Sequence, residues 1–187
     1  AKLIRILNVN YRNSPEVTNL SNQLLLIKNA RFGAIDKESN YLVNSIQKNK
    51  GKIELLNDTP AIKTKLDKNT SKSTKHAVIV MREEQKETAR KFFHTPLVFS
   101  IQEAKGLEYE NIIIYNFVSG ASKEFSEISE GISINALDKE LKYARAKNKA
   151  DKSLETYKFY INSLYVAITR SVKNLFIIEN NKKHNLL

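Results

Sequence analysis

The chain contains no cysteine, which excludes disulfides, a thiolate nucleophile and cysteine-based zinc sites. Its three histidines, His76, His94 and His184, stand far apart with no HExxH-like spacing. A satisfied or exposed imidazole is the default for each, and no metal site is expected. Glycine is scarce. Gly33, Gly51, Gly106, Gly120 and Gly131 are the only ones, and none opens a phosphate-cradling GxxxxGK[ST] loop. No apolar run approaches the roughly 20 residues of a membrane-spanning helix. The first residues also lack the charged-then-apolar pattern of a secretory signal. The expectation is a soluble intracellular protein, cytoplasmic and without membrane contact.

Acidic residues are outnumbered: 31 Lys and Arg face 20 Asp and Glu, a formal charge of +11. Such an excess attracts a polyanion and releases its condensed counterions, so nucleic acid is the leading partner and simple solubility the alternative. A basic run of Lys139, Lys142, Arg145, Lys147, Lys149 and Lys152 is interrupted by Asp138, Glu140 and Asp151. A solvated helix face accounts for it equally well. With 187 residues, 41% of them hydrophobic, the chain is long enough for one domain with a core of its own.

Apolar periodicity predicts alternating strands and helices. Leu3 to Val9 reads as a strand. A helix should follow almost at once, with Asn13 or Ser14 as its cap, Pro15 at its first position and Glu16 at the positive end of its dipole. Val17, Leu20, Leu24 and Ile27 then mark one face. A short helix is expected over residues 40–47, a strand over Lys52 to Leu56, and a helix then a polar loop over Pro60 to Thr74. Ala77 to Met81, Leu97 to Ile101 and Asn111 to Val118 are strand-length apolar runs, with a helix from Glu83 to Phe93 between the first two. The almost uniformly apolar third run fits a central parallel strand covered on both faces.

Ser119 to Leu137 reads as an irregular excursion, followed by helices over Ala136 to Ala150 and Leu154 to Thr169. In the second of these, Ile161, Leu164, Tyr165 and Ile168 share a side, leaving Arg170 roughly opposite. Leu175 to Ile178 closes the pattern as a strand, and residues 181–187 read as a flexible tail. The alternation predicts a three-layer, mainly parallel α/β fold. Tyr11 and Arg12 then fall at a strand-to-helix junction, the kind of edge where open α/β sheets bind ligands.

Three segments carry the chemistry: NYRNS (Asn10 to Ser14), SIQEAKGLEYENIIIYNF (Ser100 to Phe117) and YVAITRS (Tyr165 to Ser171). Phosphoryl transfer needs positive groups where charge develops, and the permanently charged, forked guanidinium of Arg12 or Arg170 suits that task. In KGLEY, Gly106 permits a tight turn, Lys105 offers a cation to a phosphate, and Glu108 can accept hydrogen bonds from ribose hydroxyls. Taken alone, this stretch also reads as a plain strand–turn–strand connection with solvated Lys and Glu.

Together the three segments resemble the C-terminal, RecA-like motor domain of UvrD/Rep-like superfamily 1 helicases, and most of all divergent UvrD-like members. The resemblance runs from Asn8 to about Glu179. It implies that Tyr11 stacks on adenine, that Arg12 and Arg170 reach the phosphates, and that Gly106 and Glu108 border the nucleotide, Glu108 at its ribose. It places Ser100, Gln102 and Lys105 along single-stranded nucleic acid, most simply DNA. Gln102 stands where the family often has histidine and Ser100 where it usually has threonine. Both keep hydrogen-bonding capacity, but a glutamine does not become cationic near neutral pH.

The resemblance further implies ATP and Mg2+ as cofactors of a longer protein, held mainly by an upstream RecA-like domain of the same polypeptide. Residues 1–180 would then form the second motor domain, lacking a large accessory insertion and hydrolysing little ATP alone. A catalytically silent module for binding nucleic acid or protein is the competing expectation.

Overall fold

A computed structural model describes residues 8–33, 41–137, 153–184 and 186–187. The chain begins with β1 (Val9–Asn10), α1 (Pro15–Phe32), β2 (Asn44–Ser45), β3 (Lys52–Asn57), α2 (Pro60–Thr70), β4 (His76–Val80) and α3 (Gln85–Arg90). It continues with β5 (Val98–Ser100), β6 (Tyr109–Tyr115), α4 (Ser122–Ser129), α5 (Ser153–Thr169) and β7 (Ser171–Glu179). Five strands form one parallel sheet in the order β3-β7-β6-β4-β5, and β1 pairs with β2 in a separate parallel ladder.

Side-chain alternation along the strands builds the layers. Ile112 and Ile114 of β6, with Ala77, Ile79, Leu175 and Ile177 beside them, pack against α1, α4 and α5. Ile113 and Tyr115 point the other way and pack with Val78, Val80, Val98 and Ile178 against α2 and α3. Where helices cover both faces, a strand is apolar at successive positions, as the uninterrupted IIIY run of β6 and AVIV run of β4 are. The expected α/β/α architecture is therefore the one observed.

Local chemistry accounts for the helix starts. Ser14 accepts a hydrogen bond from Val17 N at 3.4 Å and Pro15 opens α1, while Thr59 and Pro60 repeat the arrangement at α2. Val17, Leu24 and Ile27 are buried as their spacing predicts. Of the two expected caps, Ser14 takes the role, and Asn13 does something else, described below.

Several expectations need correction. Residues 44–45 form a strand instead of part of a helix. The Asn22 amide grips both Val43 N and Val43 O, and the backbone pairs with β1 through Asn44 N to Asn8 O and Ile46 N to Asn10 O. The stretch after Ser119 contains α4, whose Phe125 and Ile128, three residues apart, are fully buried. Strand β7 begins four residues before its apolar core, because Ser171 and Asn174 pair with β6 as readily as Leu175 does. Leu186 is buried against the core, although the sequence suggests a free tail there. The strand expected from Leu3 and the helix expected from Ala136 to Ala150 fall mainly outside the described residues.

Gly51 sits at a tight crossing of chain segments. A methyl group at this position would lie 2.0 Å from Lys173 O and 2.3 Å from Ser14 Oγ. Gly51→Ala is therefore expected to cost about 1–3 kcal/mol as overpacking, read as a lower midpoint in thermal denaturation. An unchanged midpoint would show that this crossing is looser than described.

Candidate functional site

In a parallel sheet all strands begin at one end, so the residue before each strand lies on a common edge. Arg170 immediately precedes β7 and Glu108 immediately precedes β6. These strands are neighbours with Tyr109 opposite Ser171, and Tyr109 N donates to Arg170 O at 3.1 Å. Register alone thus sets Glu108 beside Arg170.

Arg12 arrives from the other end of the chain. Ser14 N donates to Val172 O at 2.8 Å and Ser14 Oγ to Lys173 O at 3.0 Å, docking NYRNS along the start of β7. Arg12 Nε then ion-pairs with the Glu108 carboxylate. Arg170 is half-buried, with Nε donating to Val166 O at 3.2 Å and Nη2 to Thr169 Oγ1 at 3.4 Å. Burial, and then the nearby Arg12 charge, push its pKa down, while Glu108 opposes the shift. The guanidinium stays cationic because its starting value is so high.

Tyr11 is exposed, and its carbonyl accepts a hydrogen bond from the Gln47 amide. Gly106 has φ +83°, the left-handed turn that lets the chain double back towards β6. Lys105 and Gln102 are exposed. A depression of about 270 Å³ is lined by Ser14, Gln47, Asn49, Glu110, Val172 and Lys173, and neither arginine nor Glu108 lines it.

The sequence reading placed NYRNS at the carboxyl edge of a strand, and it does follow β1. Against the main sheet, however, Arg12, Glu108 and Arg170 occupy the amino edge. Ser100 ends β5 at the opposite edge. It pairs with Val80, one step beyond the Ile79–Ile114 pair, and so lies level with Tyr115. Tyr115 is six residues from Tyr109 along β6, about 20 Å at the usual rise. Ser100 is also buried, with its N–H and hydroxyl both donating to Glu103 Oε2 at 2.9 and 3.4 Å.

Three further residues contribute through contacts that local sequence pattern does not show. Glu103 binds Lys86 Nζ at 2.8 Å as well as Ser100, and that ammonium is the main reason its pKa is lowered. At the amino edge, the Asn13 amide reaches carbonyls on both sides of Arg170. Glu16 accepts Gly51 N at 2.7 Å, tying α1 to the start of β3. The only available signals were acidic or amide residues close to a turn or cap. Among the described residues, no group of three or more His, Cys, Asp or Glu could hold a metal ion, and no helix is long and apolar enough to cross a membrane.

The solved C-terminal domain of a possible DNA helicase from Lactobacillus plantarum WCFS1 is similar at TM-score 0.50 and 14% identity, covering 95% of this chain and 91% of that one. The likeness is one of fold. The structure of PRRSV helicase is similar at TM-score 0.40 and 9% identity, over 94% of this chain and 23% of that one. In sequence, the human TPR and ankyrin repeat-containing protein 1 is 31% identical over 122 residues. That match takes in 57% of this chain but spans only 4% of the human protein's length. No protein-family model matches.

The Glu16 contact carries a pH dependence. The hydrogen bond from Gly51 N is the largest influence holding its pKa below the ordinary 4.5. A depressed native pKa means that the ionised carboxylate stabilises the fold above the unfolded-state value and loses this contribution as pH falls through the native one. Glu16→Gln should therefore flatten the fall of the thermal midpoint below pH 4.5. Parallel curves for the two proteins would contradict that.

Proposed function

We propose that this chain is the second motor domain of an ATP-dependent, UvrD-like superfamily 1 DNA helicase or translocase. Its role is to complete a nucleotide site held mainly by a first RecA-like domain. The observation that carries the reading is the convergence of Arg12, Glu108 and Arg170 on one sheet edge from three distant motifs. Two guanidinium groups and an exposed aromatic ring fit the phosphates and base of a nucleotide. ATP with Mg2+ supplies the phosphoryl group whose developing charge needs such cations.

Within this site, Arg12 and Arg170 hold the phosphate oxygens, Tyr11 offers a stacking face, and Glu108 turns from Arg12 to the ribose hydroxyls. Gly106 allows the chain to bring Glu108 there. In the turn that leaves the opposite edge, Gln102 and Lys105 are exposed for contact with single-stranded nucleic acid, whereas the buried Ser100 supports that turn through Glu103. Nucleotide binding closes the cleft between the two domains and hydrolysis reopens it, coupling the site to strand movement.

A second reading is a catalytically silent module for binding nucleic acid or protein, a role that the same fold equally permits. One experiment separates the two. In the full-length protein assayed with single-stranded DNA, Arg12→Ala and Arg170→Ala should each lower ATP turnover at least about 100-fold. Near-normal turnover in both variants would sink the motor assignment. No turnover in the unaltered protein, with salt-dependent oligonucleotide binding intact, would select the silent module.

A further inference from the structure

Asn13 lies between the two arginine motifs and is buried to 4% exposure. Its side-chain amide uses both N–H groups, donating to Thr169 O at 2.9 Å and to Ser171 O at 2.7 Å. These are the carbonyls immediately before and after Arg170. Its amide oxygen accepts from Asn10 Nδ2 at 2.8 Å. Asn10 Oδ1 in turn accepts the backbone N–H groups of Arg12 at 2.8 Å and Asn13 at 3.0 Å. The Asn13 carbonyl accepts from Ser45 Oγ at 2.7 Å, so β2 braces the loop from outside.

We infer that Asn13 is a positioning residue that sets the separation of Arg12 and Arg170, with Asn10 as its partner. This rests on the nucleotide-site reading above. The chemistry singles out an amide, which donates twice and accepts once in one plane. An aspartate of the same shape would only accept, and would face two carbonyl oxygens with a negative charge. A serine keeps one donor at most. Because the carbonyls that Asn13 grips bracket Arg170, a lost bond shifts the backbone carrying that guanidinium. Displacements of about 1 Å near a reacting phosphate are enough to cost as much as 100-fold in rate.

The experiment is a double-mutant cycle in the full-length protein, measuring kcat and KM for ATP with single-stranded DNA present. Asn13→Ser should lower kcat about 10- to 100-fold with KM changed less than about threefold, the pattern of an interaction that matters in the transition state. In an Arg170→Ala background the same substitution should change kcat less than about threefold, because a residue acting through Arg170 has nothing left to position.

An equal fold-loss in both backgrounds would overturn the inference, since a merely structural role is additive. If Asn13→Ser melts below the assay temperature, Asn10→Ala replaces it in the same cycle with the same expected non-additivity. Failure of the nucleotide-site reading is distinguishable, because it would appear as normal turnover in Arg170→Ala itself. A large loss in Arg170→Ala beside unaltered kcat in Asn13→Ser would overturn only the role of Asn13.

Discussion

Arg12 and Arg170 come from opposite ends of the chain, and what joins them is the docking of residues 10–14 along the first residues of β7. The contact is almost wholly hydrogen-bonded. Ser14 bonds to the carbonyls of Val172 and Lys173, Asn13 to those of Thr169 and Ser171, and Gly51 leaves room for the crossing by having no side chain. Each bond contributes only about 1 kcal/mol net, but an unmatched buried carbonyl costs about 1–3 kcal/mol. The loop is thus held in one register mainly because alternatives would strand its polar groups. Packing of α1 on the sheet through Val17 and Ile27 supplies the apolar driving force, and the polar contacts decide where the loop ends up.

Parallel strand polarity sorts the functional candidates into two groups. Arg12, Glu108 and Arg170 share the amino edge, whereas Ser100 with its Glu103–Lys86 support belongs to the carboxyl edge. Residues 101–108 run between the two along the edge of the sheet. Ala104 N bonds to Ser100 O and Leu107 N to Ala104 O, and the buried Ile101 and Ala104 anchor the segment in the core. A short, internally bonded, core-anchored connector of this kind passes displacement from one end to the other better than a slack loop would.

The architecture was largely legible from sequence because its inner strands are apolar on both faces and its first two helices carry Ser-Pro and Thr-Pro starts. The misses have a common origin. β2, the polar half of β7 and the role of Asn13 depend on hydrogen bonds to residues far away in the chain, which no local periodicity encodes. The arginine motifs were visible because their neighbours spell a pattern. Ser100, which the resemblance places along nucleic acid, is buried and bonded to Glu103 three residues on, a contact that its own position in the motif does not announce. Glu108 likewise reads as a ribose acceptor from its turn context, while its pairing with Arg12 follows only from the register of β6 on β7.

The two arginines are held in different ways. Arg12 is exposed and its partner Glu108 partly so, and an ion pair in that setting contributes at most about 1 kcal/mol. The pair is therefore one that a competing charge would separate at little cost. Arg170 is half-buried and bonded to its own helix end through Val166 O and Thr169 Oγ1, so its guanidinium is already oriented and partly stripped of water. A cation fixed in this way is stronger towards an arriving anion, because less solvent must be displaced and less side-chain entropy lost. The exposed Arg12, the half-buried Arg170 and the single carboxylate of Glu108 together carry a net positive charge. Such an edge favours an anion over a cation.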